Sequence, residues 1–190
     1  ILLLRPNNWF VFVTLLHSGL LIFQIHAVQP IELAIFGGVA NFASILFIPH
    51  AVRVIVAWLL GPKALLALVP SELIVTFCYS TKNIYDPACY LIPILSASSA
   101  VIAFEVLKAV KINVYPGAGR TKEWRWVVLA GFLAALFIST TTIYLNGDAT
   151  APMSRSGVFT RSLFGNMTGL LVSLLVLLVS LKYIKNTPQL

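Results

Sequence analysis

The sequence predicts an all-α, polytopic integral membrane bundle, and three observations carry that prediction. Apolar residues make up 59% of the 190-residue chain and charged residues only 10%, with a mean hydropathy of +0.93. Soluble domains carry about 25% charged residues. Apolar runs of about 20 residues, the length that crosses a bilayer, recur from one end to the other. Polar residues interrupt these runs at few places, above all in Ile48-Pro49-His50-Ala51-Val52-Arg53.

Residues 1–190 read as a single transmembrane helical domain of about six spans, taken here in chain order. The chain opens at Ile1 without a Met, which predicts a slightly longer protein around it. The run 9–28 is too long and too Phe-rich for a cleaved signal sequence and reads as a retained membrane helix. The stretch 33–60 holds 28 residues, too many for one simple crossing and too few for two with a turn. Pro49 divides it, because proline removes a backbone donor and breaks or kinks a helix. It reads as one broken or strongly tilted crossing, with re-entry of the 33–47 stretch as the rival. The runs 63–79, 90–110, 125–145 and 165–184 complete the set. Pro-Gly in Tyr115-Pro116-Gly117 marks a turn in the loop 111–124. Asn146-Gly147-Asp148 does the same in the loop 146–164.

The net charge of +7 could suit nucleic acid, but the basic residues sit between apolar runs rather than in a patch. They read as topology signals, and no nucleic-acid partner is expected. With the N-terminus inside, Arg5, Lys63, Lys108, Lys111, Arg120, Lys122, Arg125, Lys182 and Lys185 face the cytoplasm, and only Lys82, Arg155 and Arg161 face outward. That asymmetry is what the positive-inside rule demands. It places both termini in the cytoplasm, and the membrane expected is a bacterial inner membrane.

Ionisable residues at membrane depth mark candidate sites. His50 and Arg53 share one face of a helix that starts at Pro49, where proline suits the first helical position. The positive end of that helix lies beside them, so the group has the makings of an anion site. Pairing of Arg53 with a buried carboxylate is the favoured alternative. Glu72, in Val69-Pro70-Ser71-Glu72, has no local basic partner and is the preferred mate. Glu105 has Lys108 one turn on and reads as a snorkelling pair near the inner surface. His50, Arg53, Glu72 and Asn166 are together the candidate polar cluster.

His17 and His26 fall on opposite faces of the first helix, so a two-histidine haem or metal face is not expected there. The sequence names no cofactor. Cys78 and Cys89 could form a disulfide across an outer loop or remain two thiols. Gly37-Gly38, the run Ser96 to Ala100, and Gly165 with Gly169 read as helix-packing positions. Ser139 to Thr142 read as helix packing, with hydroxyls bonded to their own helix or lining a cavity as the alternatives. Phosphate loops, nucleophile elbows and paired catalytic carboxylates are missing, so no enzyme is expected.

The stretch from Phe47-Ile48-Pro49-His50-Ala51-Val52 through Leu59-Leu60-Gly61-Pro62-Lys63-Ala64 to Pro70-Ser71-Glu72-Leu73 resembles bacterial membrane-associated sensor (MASE-type) domains. These precede diguanylate cyclases and histidine kinases. Phe164-Gly165-Asn166-Met167-Thr168-Gly169-Leu170-Leu171 resembles the start of that family's last helix, where an acidic residue is commoner than Asn166. The pattern is similar also to S-components of energy-coupling-factor transporters, though Trp9 to Val28 lacks their Ala-rich docking face. These resemblances imply a non-enzymatic bundle that binds a small ligand or a membrane protein partner. The alternatives are a vitamin-uptake S-component and an accessory subunit of a larger respiratory or photosynthetic complex. Membrane lipid and another membrane chain are the expected partners.

Overall fold

A computed structural model describes residues 8–37, 44–79, 85–116, 124–146 and 154–186. Helix α1 (Trp9–Phe23) passes through a π-helical turn (Gln24–Val28) into α2 (Gln29–Phe36). Pro30 explains the turn. It has no N–H for the His26 carbonyl, and widening the helix by one residue accommodates that loss. Helix α3 (Pro49–Leu60) starts at its proline and ends at Gly61, and a 3₁₀ turn (Gly61–Ala64) leads into α4 (Leu65–Tyr79). Helices α5 (Ala88–Ala109), α6 (Trp124–Asn146) and α7 (Arg155–Asn186) follow, and no strand occurs among the described residues.

Among the described residues, five helical stretches are long and apolar enough to cross a membrane, not the six expected: Trp9–Phe36, Pro49–Tyr79, Ala88–Ala109, Trp124–Leu145 and Arg155–Ser180. The expected 33–60 crossing is the one that fails. Residues 33–36 belong to the first helix, which continues past 28, and α3 has only 12 residues. Twelve residues make about 18 Å of helix against a hydrocarbon core of about 30 Å. Helix α7 begins ten residues ahead of the expected 165, at Arg155, so much of the expected 146–164 loop is helical. The tip of that loop and the Pro-Gly turn at 116–117 lie largely outside the described residues.

The Pro49–Tyr79 stretch is folded back on itself. A straight helix would put Arg53 and Glu72 about 28 Å apart, yet their side chains meet at 3.8 Å. The reversal sits at Gly61, whose φ of 58° and ψ of −142° suit glycine alone. Contacts along the helices give the directions. Thr14 meets Ala67 and His26 meets Tyr79, so α4 runs parallel to α1. Glu72 meets Ser96 and Phe77 meets Tyr90, so α5 runs against α4. His50 meets Gly131 and Trp58 meets Trp124, so α3 runs against α6. Ser139 meets Ser162, and Leu170 packs on Gly131, so α7 runs against α6. Trp9 and the end of α7 therefore share one end of the bundle, and Tyr79, Ala88 and Arg155 share the other.

The core between these helices is built from small side chains, with Ala51, Ala57, Ala67, Ala97, Ala100 and Ala134 all fully buried. Lipid offers no hydrophobic drive toward helix association, so close backbone approach through such residues matters most. Large apolar side chains such as Leu15, Ile35, Leu66 and Leu175 point outward.

Candidate functional site

Two buried polar groups are built on this frame. The first lies where α1, α3, α4 and α5 meet at mid-depth. The Arg53 guanidinium is 1% exposed. Its Nη1 donates to the Ser96 carbonyl at 3.1 Å and to the Ser96 hydroxyl, and its planar head lies 5.3 Å from the Phe47 ring centre. Glu72 Oε1 sits 3.8 Å from Arg53 Nη1 and accepts the Ser96 hydroxyl proton at 3.1 Å. His17 Nε2 approaches the same oxygen at 4.0 Å. The Ser71 hydroxyl is committed to the Leu68 carbonyl, which makes His17 Nδ1 the donor in the 2.7 Å bond to Ser71. All three neighbours converge on Oε1, and none of the described residues donates to Oε2.

Above this pair a cavity of about 340 Å³ extends toward the Tyr79 end of the bundle. Leu21 and Ile25 of α1, Thr76 of α4, Ile92 of α5 and the Phe47 ring line it, with Glu72 in its wall. That size falls in the range of about 300–1,000 Å³ usual for ligand pockets.

The second group holds the non-helical segment before α3. Backbone at membrane depth needs internal partners for every polar group, and Ser44 to Ile48 obtain them from α2 and α7. The Glu32 carboxylate accepts the N–H groups of Ile45 and Leu46 at 3.0 Å and the Ser44 hydroxyl at 2.7 Å. Gln24 Nε2 donates to Ser44 Oγ at 2.9 Å, and Arg161 faces Glu32 at 3.6 Å. Phe47 N–H donates to the Gly165 carbonyl at 3.0 Å, and the Thr168 hydroxyl donates to the Ile45 carbonyl. Gly165 and Gly169 are required for this fit. A Cβ on either would run into the backbone at Ser44 or Phe47.

The sequence-derived cluster is only partly assembled. Arg53 and Glu72 meet as expected. His50 is fully buried one turn from Arg53, but its Nε2–H donates to the Gly131 carbonyl at 3.1 Å, toward α6 and away from the pair. Asn166 turns its amide back to the Ser162 carbonyl of its own helix at 2.9 Å, and no hydrogen bond joins it to Arg53. Glu105 accepts from Lys108 at 3.4 Å, as expected, and also from the Tyr115 hydroxyl at 2.9 Å. Burial, and then that hydrogen bond, push the Tyr115 hydroxyl pKa up. No disulfide joins Cys78 and Cys89. The small pair Gly165 and Gly169 packs against extended chain rather than another helix.

Sequence reasoning missed His17, Ser71 and Ser96 around the pair, and the whole Glu32–Arg161 group. The signal for the former was a histidine and serines inside apolar helices. For the latter it was an acid two residues after Pro30, beyond the apolar run that ends at 28.

The ion pair is internally neutral, and among the described residues no cluster of His, Cys, Asp and Glu could hold a metal ion. Fold and site together define a helical membrane bundle with a buried ion pair beside a cavity. No family model, curated protein or solved structure matches the chain.

Proposed function

We propose that this chain is a non-enzymatic, sensor-like bundle of a bacterial inner membrane that binds a small ligand in the cavity beside Arg53 and Glu72. One observation carries the reading: a cavity of ligand size has in its wall a carboxylate with one oxygen left open. Apolar sides with few polar groups are the usual makeup of a small-molecule site. The Trp9 end faces the cytoplasm, because Lys63, Lys108 and Lys182 gather there while Arg155 lies at the other end.

The test is purification from the native membrane in mild detergent, with mass spectrometry for small molecules and proteins. A stoichiometric small molecule is expected, lost from an Arg53→Ala variant that keeps its helicity. A stoichiometric set of membrane proteins with no small molecule overturns the reading. It would support an accessory subunit instead.

A further inference from the structure

The same cavity also constrains the chemistry of its occupant. Polar groups among the residues on its wall are the Glu72 carboxylate, the Thr76 and Tyr79 hydroxyls and the Cys89 thiol, and among the described residues no Lys, Arg or His side chain lines it. Arg53 Nη1 is bonded to Ser96 behind the wall, and with the Arg53 charge next to Glu72 the pair offers a ligand no net charge to neutralise. Glu72 Oε1 is taken by Ser96, and Oε2 is left as an open acceptor. A carboxylate oxygen at this depth without a donor is costly, and a ligand that brings a donor removes that cost. The remaining wall is Leu21, Ile25, Phe47, Val75 and Ile92, which suits hydrocarbon.

We propose that the cavity takes an uncharged amphiphile, an apolar tail carrying a hydroxyl head that donates to Glu72 Oε2. This rests on the ligand-binding reading above and deepens it by naming the chemistry. A ligand with a carboxylate or phosphate head is disfavoured, because it would place a second anion against Glu72. An ether or ester head without a donor leaves Oε2 as it was. Tyr79 and Ala88 line the cavity near the end of the bundle, so a molecule can come from the lipid or from the water beyond it.

The experiment uses the full chain in phosphatidylcholine nanodiscs and two photoreactive probes, a diazirine-bearing decyl alcohol and its methyl ether. Labelled residues are mapped by mass spectrometry. The alcohol is expected to label cavity residues such as Leu21, Ile25 or Ile92 at least about tenfold more than the ether, since a hydrogen bond to a charged acceptor contributes that much. An Ala88→Phe variant, which fills the mouth of the cavity, is expected to abolish the labelling. Competition by hexanol added from the buffer would show that water-borne alcohols reach the site. Competition only by dodecanol in the bilayer would assign it to membrane amphiphiles. Equal labelling by both probes overturns the hydroxyl assignment while leaving a ligand cavity intact. Labelling of neither overturns both. The comparison is made on the unaltered chain, so it does not depend on whether a Glu72→Gln variant folds.

Discussion

Arg53 is the residue whose environment is most sharply defined, and its removal is expected to be costly. Arg53→Met leaves Glu72 buried without its counter-charge, which costs about 3–5 kcal/mol in comparable pairs. Replacing both residues, Arg53→Met with Glu72→Leu, removes the charges together and is expected to cost clearly less than the sum of the single changes. Unfolding free energies of the four chains in lipid give the coupling, and strict additivity would refute the pairing. That Arg53 and Glu72 would meet was legible in the sequence, because each was an isolated charge in an apolar run and each needed the other. The detail of the site was not. Sequence periodicity put His50 and Arg53 on one face, but it cannot say that the imidazole reaches α6 while the guanidinium reaches α5. Nor could it distinguish Ser96 from the serines around it, since only the fold sets which hydroxyl faces the pair.

Among the elements, the stretch from Ser44 to Ala64 carries the least regular structure and the most specific demands. Glu32→Gln keeps the volume but weakens the acceptor for the Ile45 and Leu46 N–H groups. Amide exchange at those two positions is expected to accelerate at least about tenfold while the amides of α5 stay unchanged. Equal exchange in both chains would mean that Glu32 does not cap the segment. Gly61→Ala is expected to destabilise by about 1–3 kcal/mol in thermal unfolding, because the backbone there suits glycine. Its Cβ would lie 3.6 Å from the Tyr115 ring, an ordinary contact, so the cost is conformational. An unchanged midpoint would show that the turn can be made another way. The helices α4, α5 and α6 were legible to within a few residues, because each is a plain apolar run with a break at both ends. The sequence misled at the end of the first helix, set at 28, whereas Pro49 opens α3 as expected. A proline can be absorbed by a π turn or can open a new helix, and the residue itself does not say which.

For the molecule as a whole, the directions of the helices make a topology prediction. Single cysteines at Lys63 and at Arg155, in a chain with Cys78 and Cys89 replaced by alanine, are expected to react with an impermeant maleimide from opposite sides of the membrane. Reaction of both from one side would contradict the fold-back at Gly61. The general class, a helical membrane bundle, was legible from hydropathy alone; the number of spanning helices was not, because α3 crosses only part of the depth. The contact between Thr168 and Ile45 joins positions separated by 123 residues, and that has a consequence for synthesis. The segment before α3 leaves the ribosome long before α7, which supplies Gly165 and Thr168 to it and Arg161 to Glu32. Until α7 has been made, the Ser44–Ile48 backbone lacks half of its partners and has reason to stay in contact with water. In a series of chains halted at increasing lengths, protection of this segment from protease is therefore expected only after Gly169 has emerged. The second passage into the bilayer is then the last to be completed, even though it is among the first to be made.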